Sequence, residues 1–231
     1  MTNYAERITA LLAKAASTEH EAERDTFTEA AERLMVKWGV SDAMLADADT
    51  ARRRAPSTIE TRRYYVPGTS GALLAELVAA RAGRGVGSVR CLYDHGRPVW
   101  WAIGYPDDLA RVELYVPHVV TQARAAWKRH LRDSHGAHWI GGGYASARVA
   151  FLSSFGWAVY GRLSELFATE AQATDGAALV LANREAQLDA HLAAEFPNVK
   201  VRADRDASNL AASVAGYRAG QDVTLAAGAL S

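Results

Sequence analysis

The sequence is poor in cysteine and lysine, and it has no long apolar run. Its single cysteine, Cys91, excludes an internal disulfide and a zinc site made of cysteines alone, so we expect a protein of the reducing cytoplasm. No run approaches the roughly 20 apolar residues that cross a bilayer, and Glu6 and Arg7 interrupt the amino-terminal segment. We therefore predict neither a membrane span nor a signal peptide. With 49% apolar and 23% charged residues, the composition is typical of a globular protein.

Charge is balanced overall but unevenly distributed along the chain. Residues 1–50 hold 5 basic and 10 acidic residues, residues 51–135 hold 14 and 7, and residues 136–231 hold 7 and 9. The middle of the chain is therefore basic, and its field would attract nucleic acid or an acidic protein. Only four of the 26 basic residues are lysine, a bias that we interpret as genomic rather than as selection for phosphate binding.

Apolar periodicity predicts a helical hairpin in the first 50 residues. Residues 8–15 and 27–38 each place apolar side chains at the i, i+3, i+4, i+7 spacing of one helix face. Thr18 and Glu21 have the spacing of a capping box at the corner. Gly39 is predicted to end the second helix in the left-handed conformation.

The remaining pattern predicts an α+β body with two long central helices, behind a linker. We divide the chain into an N-terminal helical hairpin module (1–50), a linker (51–57) and an α+β domain (58–231). The predicted helices of that domain are 70–84, 106–133, 144–171, 184–195 and 208–219, and the predicted strands are 59–66, 88–93, 99–105, 177–181, 199–202 and 223–225. A short helix over 41–45 precedes the linker. An antiparallel pair formed by the two longest helices would bury Trp127, Phe151, Phe155 and Trp157.

The N-terminal pattern resembles a known family. The residues that carry the likeness are Ile8, Leu11, Leu12, Lys14, Ala15, Ser17, Thr18, Glu21 and Ala22, followed by Ala31, Leu34, Met35, Lys37, Gly39 and Val40. In spacing they are similar to the domain of unknown function numbered 2786, over about residues 5–45. Arg148, Phe151, Phe155 and Gly156, with Gly161, Arg162 and Leu163 farther along, resemble the companion domain that often follows it. The resemblance implies a bacterial protein, of actinobacterial phage or prophage type, and supplies no catalytic residue.

Arginine and aromatic residues interleave in the basic segment. The candidate nucleic-acid-binding residues are Arg62, Arg63, Arg90, Arg97, Arg124, Lys128 and Arg132, and the aromatic residues beside the first of them are Tyr64, Tyr65, Tyr93, Trp100 and Trp101. A sheet with such side chains can stack single-stranded bases and contact phosphates. The alternative is that the aromatic residues form the core, because adjacent residues of a strand face opposite sides.

Two glycine clusters invite comparison with phosphate-binding loops. Gly83, Gly85 and Gly87 follow a predicted helix and precede a strand, the reverse of the order that a phosphate loop needs, so we reject a nucleotide role. Gly141, Gly142 and Gly143 enter a helix, with Arg148 one turn in, and their amides could hold an anion. The competing interpretation is a flexible connector.

A histidine cluster is the one candidate metal site. His130, His135 and His138, with Asp133, supply imidazole and carboxylate ligands of the kind that zinc takes. Positions 130 and 135 diverge by about 140° on a straight helix, so a bend would be needed. The competing interpretation is a solvated helix end whose basic residues complement the helix dipole. We identify no catalytic residue.

The leading hypothesis is therefore a non-enzymatic phage or prophage accessory protein that binds nucleic acid through the basic middle segment. The alternatives are a metal-dependent hydrolase, using zinc at the histidine cluster, and a protein-protein module that sequesters a host enzyme. An acidic host protein is the second candidate partner. The acidic hairpin is a candidate surface for docking or for homo-oligomer formation, and no membrane partner is expected.

Overall fold

The structure is a computed structural model that describes residues 4–53, 58–65, 72–93, 99–134, 143–199 and 209–222. The helices in chain order are α1 (Tyr4–Ser17), α2 (Glu21–Arg53), α3 (Ala72–Arg84), α4 (Pro106–Asp133), α5 (Gly143–Ala173), α6 (Ala177–Glu195) and α7 (Leu210–Asp222). The strands are β1 (Glu60–Tyr65), β2 (Val89–Tyr93) and β3 (Val99–Gly104). The α+β class is confirmed, with helices dominating. Within these ranges no helix is long and apolar enough to cross a membrane.

The N-terminal hairpin is confirmed, but its second helix is longer than predicted. Ile8 and Met35 are fully buried where α1 and α2 face the body. Gly39 lies inside α2 and does not end it. A Cβ at this position would stand 3.0 Å from the ring of Phe167. The glycine thus serves close packing, and the helix continues through the predicted helix 41–45 into the first three residues of the predicted linker. Linker residues 54–57 fall outside the described ranges.

The corner before α2 also differs from the predicted capping box. The Thr18 hydroxyl accepts a hydrogen bond from the His20 amide at 3.3 Å and donates one to Glu23 at 2.8 Å. Glu21 is already the first residue of the helix. Thr18 therefore closes the turn that leads into α2. Its carboxylate partner is Glu23, two residues beyond the predicted Glu21.

The three strands form an antiparallel sheet in the order β1-β3-β2. Tyr64 lies opposite Trp100 and stacks on it with ring centroids 4.6 Å apart. Trp100 is buried, whereas Tyr65, the next residue along β1, is 65% exposed. The prediction that one residue of each aromatic pair faces the core is confirmed for the tyrosines. The sheet has an inner face toward α3 and α4 and an outer face.

Both long helices are confirmed, although their packing differs from a simple pair. Helix α4 begins at Pro106, where proline suits the first turn. Trp127, Phe151 and Phe155 are buried as predicted. Trp157 is only half-buried, with the guanidinium of Arg81 5.2 Å above its ring, so its predicted core role is wrong.

Helix α5 packs most extensively on α7 and α3. Two glycines of α7 permit this contact: a Cβ at Gly216 would lie 2.0 Å from the carbonyl oxygen of Phe151, and one at Gly220 would lie 2.7 Å from that of Phe155. The two backbones therefore approach too closely for any larger residue. The predicted helix 208–219 is confirmed as α7.

The predicted strand 177–181 is wrong, because these residues begin α6. Ala177, Val180, Arg184 and Leu188 are buried at intervals of three and four residues, the period of one helix face. A five-residue apolar run is too short to distinguish strand from helix. Of the predicted strand 199–202, Val199 follows α6 without joining a strand, and the predicted strand 223–225 lies outside the described residues.

Candidate nucleic-acid interface

A stripe of three exposed cations lies along α4. Arg124, Lys128 and Arg132 are spaced four residues apart, so they share one face of the helix over about 12 Å. All three are exposed, and none forms a hydrogen bond or ion pair with any described residue. We call these residues the α4 stripe. Their charges are available to an external anion, since no carboxylate of the described chain is bound to them.

The α4 stripe borders a cleft of about 610 Å³ between the α1–α2 corner, α4, α5 and α7. On a helix of 3.6 residues per turn, the cleft residues Thr121, Ala125 and Arg129 occupy the sector next to the stripe. Phe151 and Phe155 supply aromatic carbons to the lining. The charged lining residues are Arg24, Arg129 and Arg218, with Glu21, Asp25 and Asp133. The two signs balance inside the cleft, so the surplus positive charge lies on its α4 border.

One wall of the cleft carries a half-buried histidine, His118. The side-chain nitrogen of Gln122 lies 2.6 Å from Nε2 of His118 and 3.3 Å from the hydroxyl of the buried Thr28. Burial lowers the pKa of His118 below its usual 6.5, against the opposing effect of the Glu32 carboxylate. The imidazole is therefore neutral at pH 7 and adds no positive charge to the cleft.

Arg62, by contrast, is already paired with carboxylates. Its guanidinium lies 2.9 Å from Glu60 on the same strand and 3.1 Å from Glu113 on α4. The hydrogen bond with Glu60 is the main reason that the pKa of Arg62 is raised. Contact with phosphate would require these ion pairs to be exchanged.

Arg90 is paired at the opposite edge of the sheet, against α6. Its guanidinium lies 2.6 Å from Glu185 and 2.7 Å from Asp189. Arg90 is opposite Ile103, whereas Arg62 is opposite Ala102, and successive residues of a strand face opposite sides. The two arginines are therefore on different faces of the sheet, and the structure does not bring them together.

Arg63 differs from Arg62 and Arg90, which are paired with carboxylates. It is exposed on the outer face of β1, opposite Trp101, and makes no hydrogen bond or ion pair within the described chain. Tyr65 lies on the same face two residues farther along. The remaining predicted cation, Arg97, lies outside the described residues.

The predicted anion loop is described only in part. Gly143 is the first residue of α5 and has a positive φ of 75°, while Gly141 and Gly142 lie outside the described residues. Arg148 is half-buried, and its Nε is buried without a hydrogen-bond partner in the described chain. The left-handed glycine turns the chain into the helix, and anion binding there stays a prediction.

The predicted metal cluster is also described in part. His130 lies among aromatic rings, with its centroid 5.1 Å from Phe151 and 5.6 Å from Trp127. His135 and His138 lie outside the described residues, and Asp133 is exposed at the end of α4. Among the residues that are described, no group of three His, Cys, Asp or Glu side chains could hold a metal. Zinc binding stays a prediction.

Sequence reasoning missed a buried ionic network that joins the hairpin to the body. The Glu32 carboxylate on α2 is fully buried and accepts hydrogen bonds from Arg162 Nε at 2.9 Å and Nη2 at 2.6 Å. It also accepts one from the hydroxyl of Tyr115, whose pKa is raised mainly by burial. Arg162 in turn donates to the carbonyl of Gly220 near the end of α7. Glu32 is therefore a tether between α2, α4, α5 and α7.

A second buried network surrounds Asp108. Its carboxylate binds Arg111 and, at 2.8 Å, Arg184 of α6, while Arg111 also reaches Asp42 on α2 at 3.1 Å. The guanidinium of Arg184 stacks 3.8 Å from the ring centroid of Tyr105. Asp108 lies in the first turn of α4, and Arg111 is one turn farther along the same helix. Arg184 and, through Arg111, Asp42 lie far away in the sequence. No local spacing could have identified them.

In the part of the chain that the structure describes, these observations define a helix-rich α+β protein with an unpaired basic face on α4 and two buried ionic networks. Residues 4–42 match the model of a protein family described as a protein of unknown function, DUF2786. The match covers α1 and the first two thirds of α2, and it includes Glu32. Comparison with curated proteins and with solved structures gave no match.

Proposed function

We propose that this protein is a non-enzymatic accessory protein that binds nucleic acid along the α4 stripe. The observation that carries the proposal is that Arg124, Lys128 and Arg132 are exposed at helical spacing with no carboxylate partner in the described chain. Free cations gain from phosphate contact through counterion release, with no internal ion pair to break. Arg62 and Arg90 would lose such pairs, so we assign them no direct contact.

The distribution of charge supports a polyanion rather than a small anion as the ligand. The stripe extends about 12 Å along α4, a length that matches several consecutive phosphates rather than one. Arg129 lies beside the stripe and is only weakly paired, with Glu21 at 3.7 Å and both side chains largely exposed. It is therefore available to join the contact at little cost.

We propose that the protein acts in the bacterial cytoplasm and belongs to an actinobacterial phage or prophage. This proposal rests on the resemblance of residues 4–42 to family 2786 and on the low lysine content. We further propose that the acidic outer face of the hairpin contacts a protein, either a host protein or a second copy. The apolar faces of α1 and α2 already pack against the body, so such a contact would be polar.

Salt-dependent binding of fluorescent oligonucleotides tests the proposal. Binding of single-stranded and duplex DNA and of RNA is measured by anisotropy from about 50 to 200 mM salt, a range over which phosphate contacts weaken steeply. Each phosphate contact contributes about 0.7 to 0.9 to the slope of log affinity against log salt. Lys128→Gln/Arg132→Gln should therefore flatten the slope by about 1.5.

The chain offers a matched control on α2. Arg33 and Lys37 are also an arginine and a lysine four residues apart, and both are exposed. Arg33→Gln/Lys37→Gln removes the same charge from a different face and should leave the slope nearly unchanged. Equal effects of the two double variants, salt-independent binding, or no binding to any of the three nucleic acids would refute the proposal. Retention of a host protein after nuclease treatment, without nucleic-acid binding, would favour the protein-protein alternative.

A further inference from the structure

The outer face of the sheet carries exposed aromatic and basic side chains. Tyr65 is 65% exposed, Arg63 is exposed and Trp101 is partly exposed. Strand register places all three on this face, because Arg63 lies opposite Trp101 and Tyr65 is two residues from Arg63. Tyr65 and Trp101 are thus diagonal neighbours, a relation in which residues lie about 7–8 Å apart. We call Arg63, Tyr65 and Trp101 the sheet platform.

The sheet platform differs in exposure from the aromatic pair of the inner face, although Val99 and Ile103 on the outer face are also buried. The inner aromatic residues Tyr64 and Trp100 stack on each other, and Trp100 is buried. On the outer face, α6 covers one end, where it binds Arg90. Tyr65 lies at the other end of β1 and remains exposed.

The charge of this face selects a class of partner. Among the strand residues whose side chains the structure describes, those on the outer face are Thr61, Arg63, Tyr65, Arg90, Leu92, Val99, Trp101 and Ile103. None of these residues is acidic. The carboxylates that neutralise Arg90 come from α6, and Arg63 has no such partner in the described chain. Exposed rings beside an unpaired guanidinium are complementary to a ligand with flat π-faces and negative charge.

We propose that the sheet platform binds the unpaired bases of single-stranded nucleic acid by stacking, with Arg63 contacting the phosphate backbone. The inference rests on the proposed function and adds a second contact surface, on the face of the sheet opposite α4, that selects single strands. Tyr65 and Trp101 provide rings for successive bases, and stacking of this kind tolerates any base because every base has a π-face. A duplex hides these faces, so the platform distinguishes single strands from duplexes.

The test compares the binding of oligonucleotides with and without bases to the whole 231-residue chain. A thymidine 12-mer and an abasic 12-mer with the same phosphates are titrated against wild type, Tyr65→Ala and Tyr65→Phe, with a duplex of equal length as a third ligand. These lengths fall within the roughly 4–16 nucleotides that one single-strand-binding fold covers. Tyr217→Ala is the control, since Tyr217 is also exposed, at 45%, but lies on α7. Light scattering of each variant measures oligomeric state.

The expected result is about tenfold weaker binding of the thymidine oligonucleotide by Tyr65→Ala, with unchanged binding of the abasic one. Tyr65→Phe retains the ring and should bind like wild type, as should Tyr217→Ala. Equal affinity of the wild type for abasic and thymidine oligonucleotides would overturn the stacking inference and leave the proposed function intact. Absence of binding to all three ligands would overturn the inference, and absence of RNA binding as well would overturn the proposed function. A dimer that Tyr65→Ala dissociates, without base dependence, would identify the face as a contact between two copies and also overturn the inference.

Discussion

Replacing Arg162 with methionine would leave the buried Glu32 carboxylate without its ion-pair partner. Glu32 is fully buried, and the Arg162 side chain is 12% exposed. Burial by itself lowers the pKa of Arg162, but the Glu32 carboxylate outweighs burial and the net effect is a rise. Methionine preserves much of the volume of arginine and removes the charge. The folded protein would then have to bury an uncompensated anion.

The magnitude follows from what remains around the carboxylate. Breaking a buried ion pair by removing one partner costs about 3–5 kcal/mol. Tyr115 still donates one hydrogen bond to Glu32, so we expect a loss near 3 kcal/mol in the free energy of unfolding. Removing the carboxylate as well, in Glu32→Met/Arg162→Met, eliminates the unpaired charge. The double variant should therefore be more stable than Arg162→Met alone.

Urea unfolding at pH 7 measures these differences as shifts of the midpoint at constant m-value. Arg33→Met is the control, because Arg33 pairs with Glu29 on α2 and its own side chain is 66% exposed, while that of Glu29 is 14% exposed. A pair with one partner in solvent should contribute about 1 kcal/mol or less. The reasoning is refuted if Arg162→Met is destabilised no more than Arg33→Met, or if the double variant is less stable than Arg162→Met.

Three further predictions concern glycines of α5 and α7, the thiol of Cys91 and the imidazole of His118. Gly216→Ala should lower the free energy of unfolding by about 1–3 kcal/mol through overpacking, because the new Cβ would lie 2.0 Å from the carbonyl oxygen of Phe151. Gly161→Ala is its control: a Cβ there would meet no neighbouring atom within 4 Å, so the free energy of unfolding should rise by about 0.5–1 kcal/mol. Burial raises the pKa of the Cys91 thiol to about 12, so a thiol reagent at pH 8 should modify the native protein far more slowly than the urea-unfolded chain. The lowered pKa of His118 means that the unfolded state binds more protons as pH falls below 6.5, so stability should decrease there; His118→Gln should lose less stability between pH 7 and pH 6.

The sequence alone is sufficient to predict those helices and strands whose signals are local. The predicted bounds of α4, 106–133, coincide with those of the structure, and Pro106, which suits a first helical turn, marks its start. The predicted strands 88–93 and 99–105 are present as β2 and β3, which are antiparallel neighbours in the sheet. In each case the pattern that specifies the element lies within the element itself.

Other features depend on neighbours that are distant in sequence. Gly39 has the local appearance of a helix end, yet the ring of Phe167 packs against it and α2 continues. Arg62 finds Glu113 at a separation of 51 residues, and Arg90 finds Asp189 at a separation of 99. Spacing along the chain identified these arginines as cations but could not show that they are neutralised. The α4 stripe was predictable because its three members belong to one helix.

The buried position of Glu32 has a consequence for anyone who transplants the segment that matches family 2786. The match ends at residue 42, partway along α2, while the side chains that satisfy Glu32 belong to α4 and α5. A chimera that grafts residues 4–42 onto another scaffold would sever a helix and carry an orphan anion with it. The graft would also have to include Tyr115 and Arg162, or equivalent donors to Glu32, for the recipient to fold.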